Sequence, residues 1–219
     1  MKATFKVKLI NDPTPPPPPF VGTIVGIETT KEHPVFAFHN GKLAEGASGV
    51  RVDWGDGSVE ELPQLSSASH AYAASGAHEI RISDSISTFG VSSRLTDSEY
   101  YLVSAPMLRS VRSNATRLVS TASYAFFGCR NLREFDVSVC SLSELGVAAF
   151  KDCVALSGVL FLRNVADIKG ANPLPFAGCA NLAEIHFALA NAAAIRATQA
   201  YRDDPTLGTG VEGVCRFDP

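Results

Sequence analysis

One motif returns three times in the second half of the chain with its apolar positions intact. Ala125-Phe126-Phe127-Gly128-Cys129-Arg130-Asn131-Leu132 is followed by Ala149-Phe150-Lys151-Asp152-Cys153-Val154-Ala155-Leu156, and then by Pro175-Phe176-Ala177-Gly178-Cys179-Ala180-Asn181-Leu182. The cysteines are spaced by 24 and 26 residues. A unit that short has too little apolar surface for a core of its own and acquires one only by stacking on its neighbours. The second half therefore reads as a solenoid. Its core positions are Phe126, Cys129 and Leu132, then Phe150, Cys153 and Leu156, then Phe176, Cys179 and Leu182.

The register runs past the motif itself. Three residues after each repeat leucine stands Phe135, Val159 or Ile185, and two further on Val137, Phe161 or Phe187, an alternation that predicts one buried face of a short strand. Eight residues before each repeat phenylalanine stands Leu118, Leu142 or Ile168. Leu102, Ala105, Leu108 and Val111 make a degraded upstream copy, and the pattern fades after Ile195. The expectation is a repeat region over 96–195 with a cap over 196–219, since outermost units diverge where they must face water. Side chains between the inward strand positions point out: Arg133, Glu134 and Asp136, then Ser157, Gly158 and Leu160, then Ala183, Glu184 and His186. Of these, Arg133, Glu134, Asp136, Glu184 and His186 are the candidates for contact with a partner.

An aromatic residue placed before Gly/Asp-Cys, then x-x-Leu and an apolar strand, resembles the BspA-type leucine-rich repeat of bacterial surface proteins. Cysteine takes the turn position that asparagine holds in the commoner leucine-rich repeats. The resemblance implies a surface adhesin or host-contact protein.

The first half has a different grammar. Phe5, Val7 and Leu9 alternate with Lys6 and Lys8, the pattern of a half-buried strand, and a polyproline II stretch follows through Pro15–Pro19, so that 1–19 reads as a strand plus linker. Short β-prone runs then occupy 21–27, 35–38, 49–53, 59–62, 78–83 and 86–91, punctuated by Asn40-Gly41, read as a hairpin dipeptide, and by Gly55-Asp56-Gly57. Several short strands with regular punctuation predict a small antiparallel β-sandwich over 20–95. Asp53-Trp54-Gly55-Asp56-Gly57 followed by His70-Ala71-Tyr72 resembles the PKD-type, immunoglobulin-like module. The expected fold class is mainly β: a small antiparallel β-sandwich followed by a short leucine-rich-repeat solenoid.

Composition narrows the function. A net charge of −3 without a Lys/Arg cluster gives no electrostatic footprint for nucleic acid. No apolar run approaches the ~18 residues of a membrane-spanning helix, so membrane insertion is not expected. Met1 to Ile10 alternates charged with apolar residues and does not read as a signal peptide. The expected location is extracellular or at the cell surface, or in a virion, which needs no leader.

Other constellations carry little chemistry. Five cysteines argue against a disulfide framework, and the three at one repeat position predict an inward row of small apolar thiols. Cys140 and Cys215 fall outside the period. Gly208-Thr209-Gly210-Val211-Glu212-Gly213 matches GxGxxG but leaves no room for a following helix, so no nucleotide cofactor is expected. Asp53 and Asp56 are weak candidates for Ca²⁺, against the commoner role of Asp as acceptor for turn amides. His70 reads as a hydrogen-bonding core residue, and His186 as exposed. Asn114-Ala115-Thr116 is a glycosylation sequon, meaningful only in a eukaryotic secretory host. No nucleophile, base and orienting acid lie together, and no cofactor is implied. The expected function is non-enzymatic adhesion or recognition of a protein or glycan, on another cell or within an assembly. A structural or receptor-binding component of a phage tail or prophage-encoded assembly is the alternative.

Overall fold

A computed structural model describes residues 19–66, 68–92, 104–170 and 172–219. The protein is mainly β. Its strands are β1 (Gly22–Thr29), β2 (Val35–Ala37), β3 (Asn40–Leu43), β4 (Val50–Asp53), β5 (Val59–Leu62), β6 (Ser69–Ala71), β7 (Gly76–Ser83) and β8 (Ile86–Gly90), then β9 (Leu108–Ser113), β10 (Ser120–Thr121), β11 (Glu134–Asp136), β12 (Glu144–Leu145), β13 (Gly158–Phe161), β14 (Asp167–Ile168), β15 (Leu182–Ala188) and β16 (Cys215–Asp218). The expected strand at Phe5–Leu9 and the proline run up to Pro18 lie outside the described residues, as does Leu102.

In the first half the pairing is antiparallel: β1 with β7, β7 with β4, β4 with β5, β3 with β8, and β2 with β6. Alternation in β1 and β4 sends Val25, Ile27, Val50 and Val52 inward, where they meet Trp54, Phe36, Phe38, Ile80 and Ile82, all at 0–1% exposure. Fully burying one such side chain contributes ~1.5–3 kcal/mol. Asn40-Gly41 is not a hairpin turn. Both residues lie inside β3, opposite Gly90 and Phe89. Gly41 is there for space, because a Cβ on it would come within 2.8 Å of Leu65 Cβ. β3 and β6 are too short and too polar to announce themselves by alternation.

The second half pairs in parallel. β8, β10, β12 and β14 form one ladder, β9 and β11 a second, and β13, β15 and β16 a third. Between the ladders the repeat motifs lie on one another. Phe126 stacks on Phe150 at 5.0 Å and Phe150 on Phe176 at 5.2 Å, with interplanar angles of 21° and 9°. Phe126 N–H donates to Ala149 O and Phe150 N–H to Pro175 O, so backbone hydrogen bonds join each motif to the next. All nine core positions named above are buried. The turn before each cysteine needs a left-handed residue, and Gly128, Asp152 and Gly178 have φ of 70°, 63° and 84°.

The two halves share sheets. β9 lies antiparallel against β1 and β8 lies parallel to β10, so one hydrophobic cluster runs from Val25 to Val214. The segment after 195 continues the stacking. Phe176 N–H donates to Leu207 O as earlier motifs do to theirs, and β16 pairs in parallel with β15, Phe187 facing Phe217. Two short helices, Ala192–Ala197 and Gln199–Asp203, link them.

One register expectation fails. Phe135, Val137, Ile185 and Phe187 are buried, but Val159 and Phe161 are 46% and 37% exposed, and Leu160 and Leu162 fill their places at 2% and 1%. The cause is spacing: four residues separate the inward Leu156 and Leu160, against three from Leu132 to Phe135 and from Leu182 to Ile185, with Gly158 at φ 79° inside the longer segment and the register against β15 shifting beside it. One extra residue flips every later side chain of a strand to its other face. Leu160, expected outward, is therefore core.

Candidate functional site

The parallel ladder is interrupted between β11 and β13. β11 is the last strand of one sheet and β13 the first of another, and no backbone rung joins them among the described residues. A groove of ≈ 380 Å³ opens at this break. Its floor is apolar, from Phe135, Leu156, Leu160 and Leu182. Its walls are Arg133, Glu134, Asp136 and Ser138 on one side and Ser157, Val159 and Phe161 on the other. The structure thus brings three of the five candidate contact residues to the groove, Arg133, Glu134 and Asp136, all from one strand and its approach.

Asp136 Oδ1 accepts from Ser138 N (3.0 Å) and Ser138 Oγ (2.7 Å), which holds the carboxylate at the end of its strand. Neither Glu134, Asp136 nor Arg133 has an ion-pair partner among the described residues. Val159 and Phe161 were missed as surface residues. The signal was present, since Val159-Leu160-Phe161-Leu162 after a glycine admits either register, but only packing chooses between them.

Glu184 and His186 lie on the next strand and are not freely exposed. His186 is held between two carboxylates, Nε2 to Glu184 Oε2 at 2.8 Å and Nδ1 to Asp218 Oδ2 at 2.8 Å, with its side chain only 16% accessible. The expectation of an exposed His186 is corrected, because β16 brings Asp218 alongside it. Arg216 Nε donates to Glu184 Oε1 at 3.2 Å, and Arg163 lies 3.6 Å from Asp218. Burial pulls the imidazole's pKa down, but hydrogen bonds to Glu184 and Asp218 outweigh it and the net shift is upward. Glu184 is lowered by the hydrogen bonds from His186 and Arg216. Phe161 bridges this cluster to the groove, with the His186 ring at 5.1 Å and the Arg163 guanidinium at 5.3 Å.

Asp53 and Asp56 act within their turn. Asp53 Oδ1 accepts from Gly55 N and Asp56 Oδ1 from Ser58 N, each at 3.0 Å. Asp56 Oδ2 also takes His70 Nε2 at 2.8 Å, which with the Ser58 amide lowers its pKa to about 2. His70 stacks on Trp54 at 5.0 Å, and Tyr72 Oη donates to Trp54 O at 2.9 Å. Residues 208–213 form a turn leading into β16, a strand rather than a helix. The repeat thiols point inward: Cys153 Sγ donates to Phe126 O and Cys179 Sγ to Phe150 O, each at 3.0 Å. Cys140 is buried as well, and Cys215 is half-buried in β16.

No protein-family model, no curated protein and no solved structure matches the chain.

Proposed function

We propose that this chain is a non-enzymatic recognition protein working outside the cell, at its surface or within an assembly. In this reading 20–95 is an immunoglobulin-like sandwich of the PKD kind and 96–195 a leucine-rich-repeat solenoid of the BspA kind. Its partner, a protein or a glycan, is held at the groove between β11 and β13. The observation that carries this reading is the groove itself: a break in the ladder with an apolar floor and charged walls at the face where the repeat pattern puts its outward residues. Its lining sets the Arg133 guanidinium and the Glu134 and Asp136 carboxylates beside apolar side chains, a combination suited to holding a ligand. Apolar floors with a few placed polar groups are the usual build of a binding cleft.

The test is binding to protein and glycan arrays by the full chain and by the paired variant Glu134→Lys/Asp136→Lys. Binding that falls at least tenfold in the variant, with an unchanged melting temperature, supports the reading. Partners captured equally well by both proteins would place recognition elsewhere.

A further inference from the structure

The groove does not stop at β11. Asp136 also lines a second depression, of ≈ 180 Å³, together with Gly22, Ile24, Arg112 and Val139. A third, of ≈ 140 Å³, lies beyond β1 and is lined by Phe20, Arg51, Asp53, Arg81 and Ser83. Strand pairing makes them neighbours. Gly22 and Ile24 of the second lie opposite Ser83 and Arg81 of the third, across the β1–β7 pair. Ile24 also lies opposite Arg112 on β9, and Arg112 opposite Asp136 on β11. The three depressions therefore follow one outward row from β13 to β4, over both halves of the chain. Neighbouring strands are about 4.8 Å apart, so the row is roughly 24 Å long.

Exposed aromatic rings mark its two ends. Phe161 and Phe20 are 37% and 36% exposed, and each packs against an arginine guanidinium, Arg163 at 5.3 Å and Arg81 at 5.9 Å. Asn114 fixes the Phe20 end: its side chain accepts from Gly22 N–H and donates to Phe20 O, each at 2.9 Å. Between the rings the charges are balanced. Arg81 and Arg112 both reach Glu79 at 3.0 Å, Arg51 lies 3.4 Å from Glu61, and the carboxylates of Asp53 and Asp136 are interspersed. A polyanion or a polycation gains little from such a surface.

The row crosses the strands, and that decides the class of ligand. Backbone N–H and C=O groups of a sheet point at the neighbouring strands, within its plane, so the face offers side chains alone. An extended peptide laid across it would strip water from its own amides and find no ladder to pair with. A chain of sugar rings brings hydroxyls that match carboxylates and guanidiniums, and apolar ring surface that matches phenylalanine. We infer that, granted the groove as the recognition site, its ligand is a linear, uncharged oligosaccharide several sugars long, lying along the row from Phe161 to Phe20.

An array of neutral linear oligosaccharides, from disaccharides to octasaccharides, probed with the full chain and followed by titration calorimetry on those retained, tests it. The longer members of a bound series are expected to bind at least about tenfold more tightly than the disaccharide. Phe20→Ala and Arg81→Ala, both in the first half, each weaken binding about tenfold. Lys42→Ala, in the other large sheet, leaves it unchanged. Melting temperatures within a degree or two of the parent's, on the scale of a surface change, show that every variant is folded. An array without any neutral ligand overturns the inference, as does equal or tighter binding of heparin oligosaccharides. A protein captured instead through Glu134 and Asp136 overturns it while leaving the recognition reading standing. Glycan binding lost in Glu134→Lys/Asp136→Lys but untouched by Phe20→Ala and Arg81→Ala confines the site to the groove and overturns the extended row. Binding indifferent to all of these variants overturns both readings.

Discussion

Cys153 shows how a single repeat position is used. Its thiol is fully buried and donates to Phe126 O in the preceding motif, so it serves as both packing and a polar link between stacked units. Burial also pushes the Cys129 and Cys153 thiols well above their usual range, and Cys215 up to about 12, where burial acts together with the nearby Asp204 carboxylate. Thiolate is the reactive form. A thiol reagent at neutral pH is therefore expected to leave Cys129, Cys140, Cys153 and Cys179 untouched in the native protein, with Cys215, the one half-buried thiol, reacting first and slowly. Rapid native labelling of the repeat cysteines, read by mass spectrometry, would show that the motifs are not stacked as described. His186 makes a second prediction. Its pKa is raised in the folded protein by Glu184 and Asp218, so the stabilisation is complete below the ordinary value of 6.5 and is lost as pH rises through the higher folded value. Arg216 and Arg163 face the same carboxylates and oppose the effect without reversing it. Stability measured by urea unfolding should fall from pH 6 towards pH 8, and His186→Gln should flatten that slope. An unchanged slope in the variant would remove His186 as its source.

At the scale of the element, the bulge at Gly158 decides what the groove looks like. A Cβ at Gly158 would meet nothing within 4 Å, so the cost of Gly158→Ala comes from its φ of 79° alone. That conformation costs an L-residue ~1–2 kcal/mol. The variant is expected to lose about that much stability or to relax the bulge, which would turn Val159 and Phe161 away from the groove wall; reduced partner binding would accompany the second outcome. The phenylalanine column behaves differently, because Phe150 touches rings on both sides. Phe150→Ala should cost ~3–5 kcal/mol, a large part of the stability of a domain this size. Leu156→Asp should be at least as damaging, since its carboxylate would have no partner in the core. Melting temperatures close to the parent's for both would refute the stacking order.

At the scale of the whole molecule, the two halves are joined by their sheets. β1 is flanked by β7 on one side and β9 on the other, so separating the halves would strip a central strand of one neighbour and open the common core. Calorimetry should accordingly record one unfolding transition; two separated transitions would show that the halves fold independently despite the shared sheets. What the sequence determined by itself follows from local rules. The repeat period, the inward Phe, Cys and Leu, the Gly55-Asp56-Gly57 turn and most strands of the first half depend on spacing and on backbone freedom that a residue carries with it. Three things were decided only in three dimensions. β9 joined β1 because sheet neighbours are chosen by which edges remain open, and sequence distance does not enter. Val159 and Phe161 turned outward because one bulge reverses a strand's faces at little local cost. His186 was enclosed because Asp218, 32 residues on, arrives only when β16 pairs with β15. The groove joins the flipped face of β13 to the interruption of pairing between β11 and β13, and neither alternation nor spacing encodes an interruption.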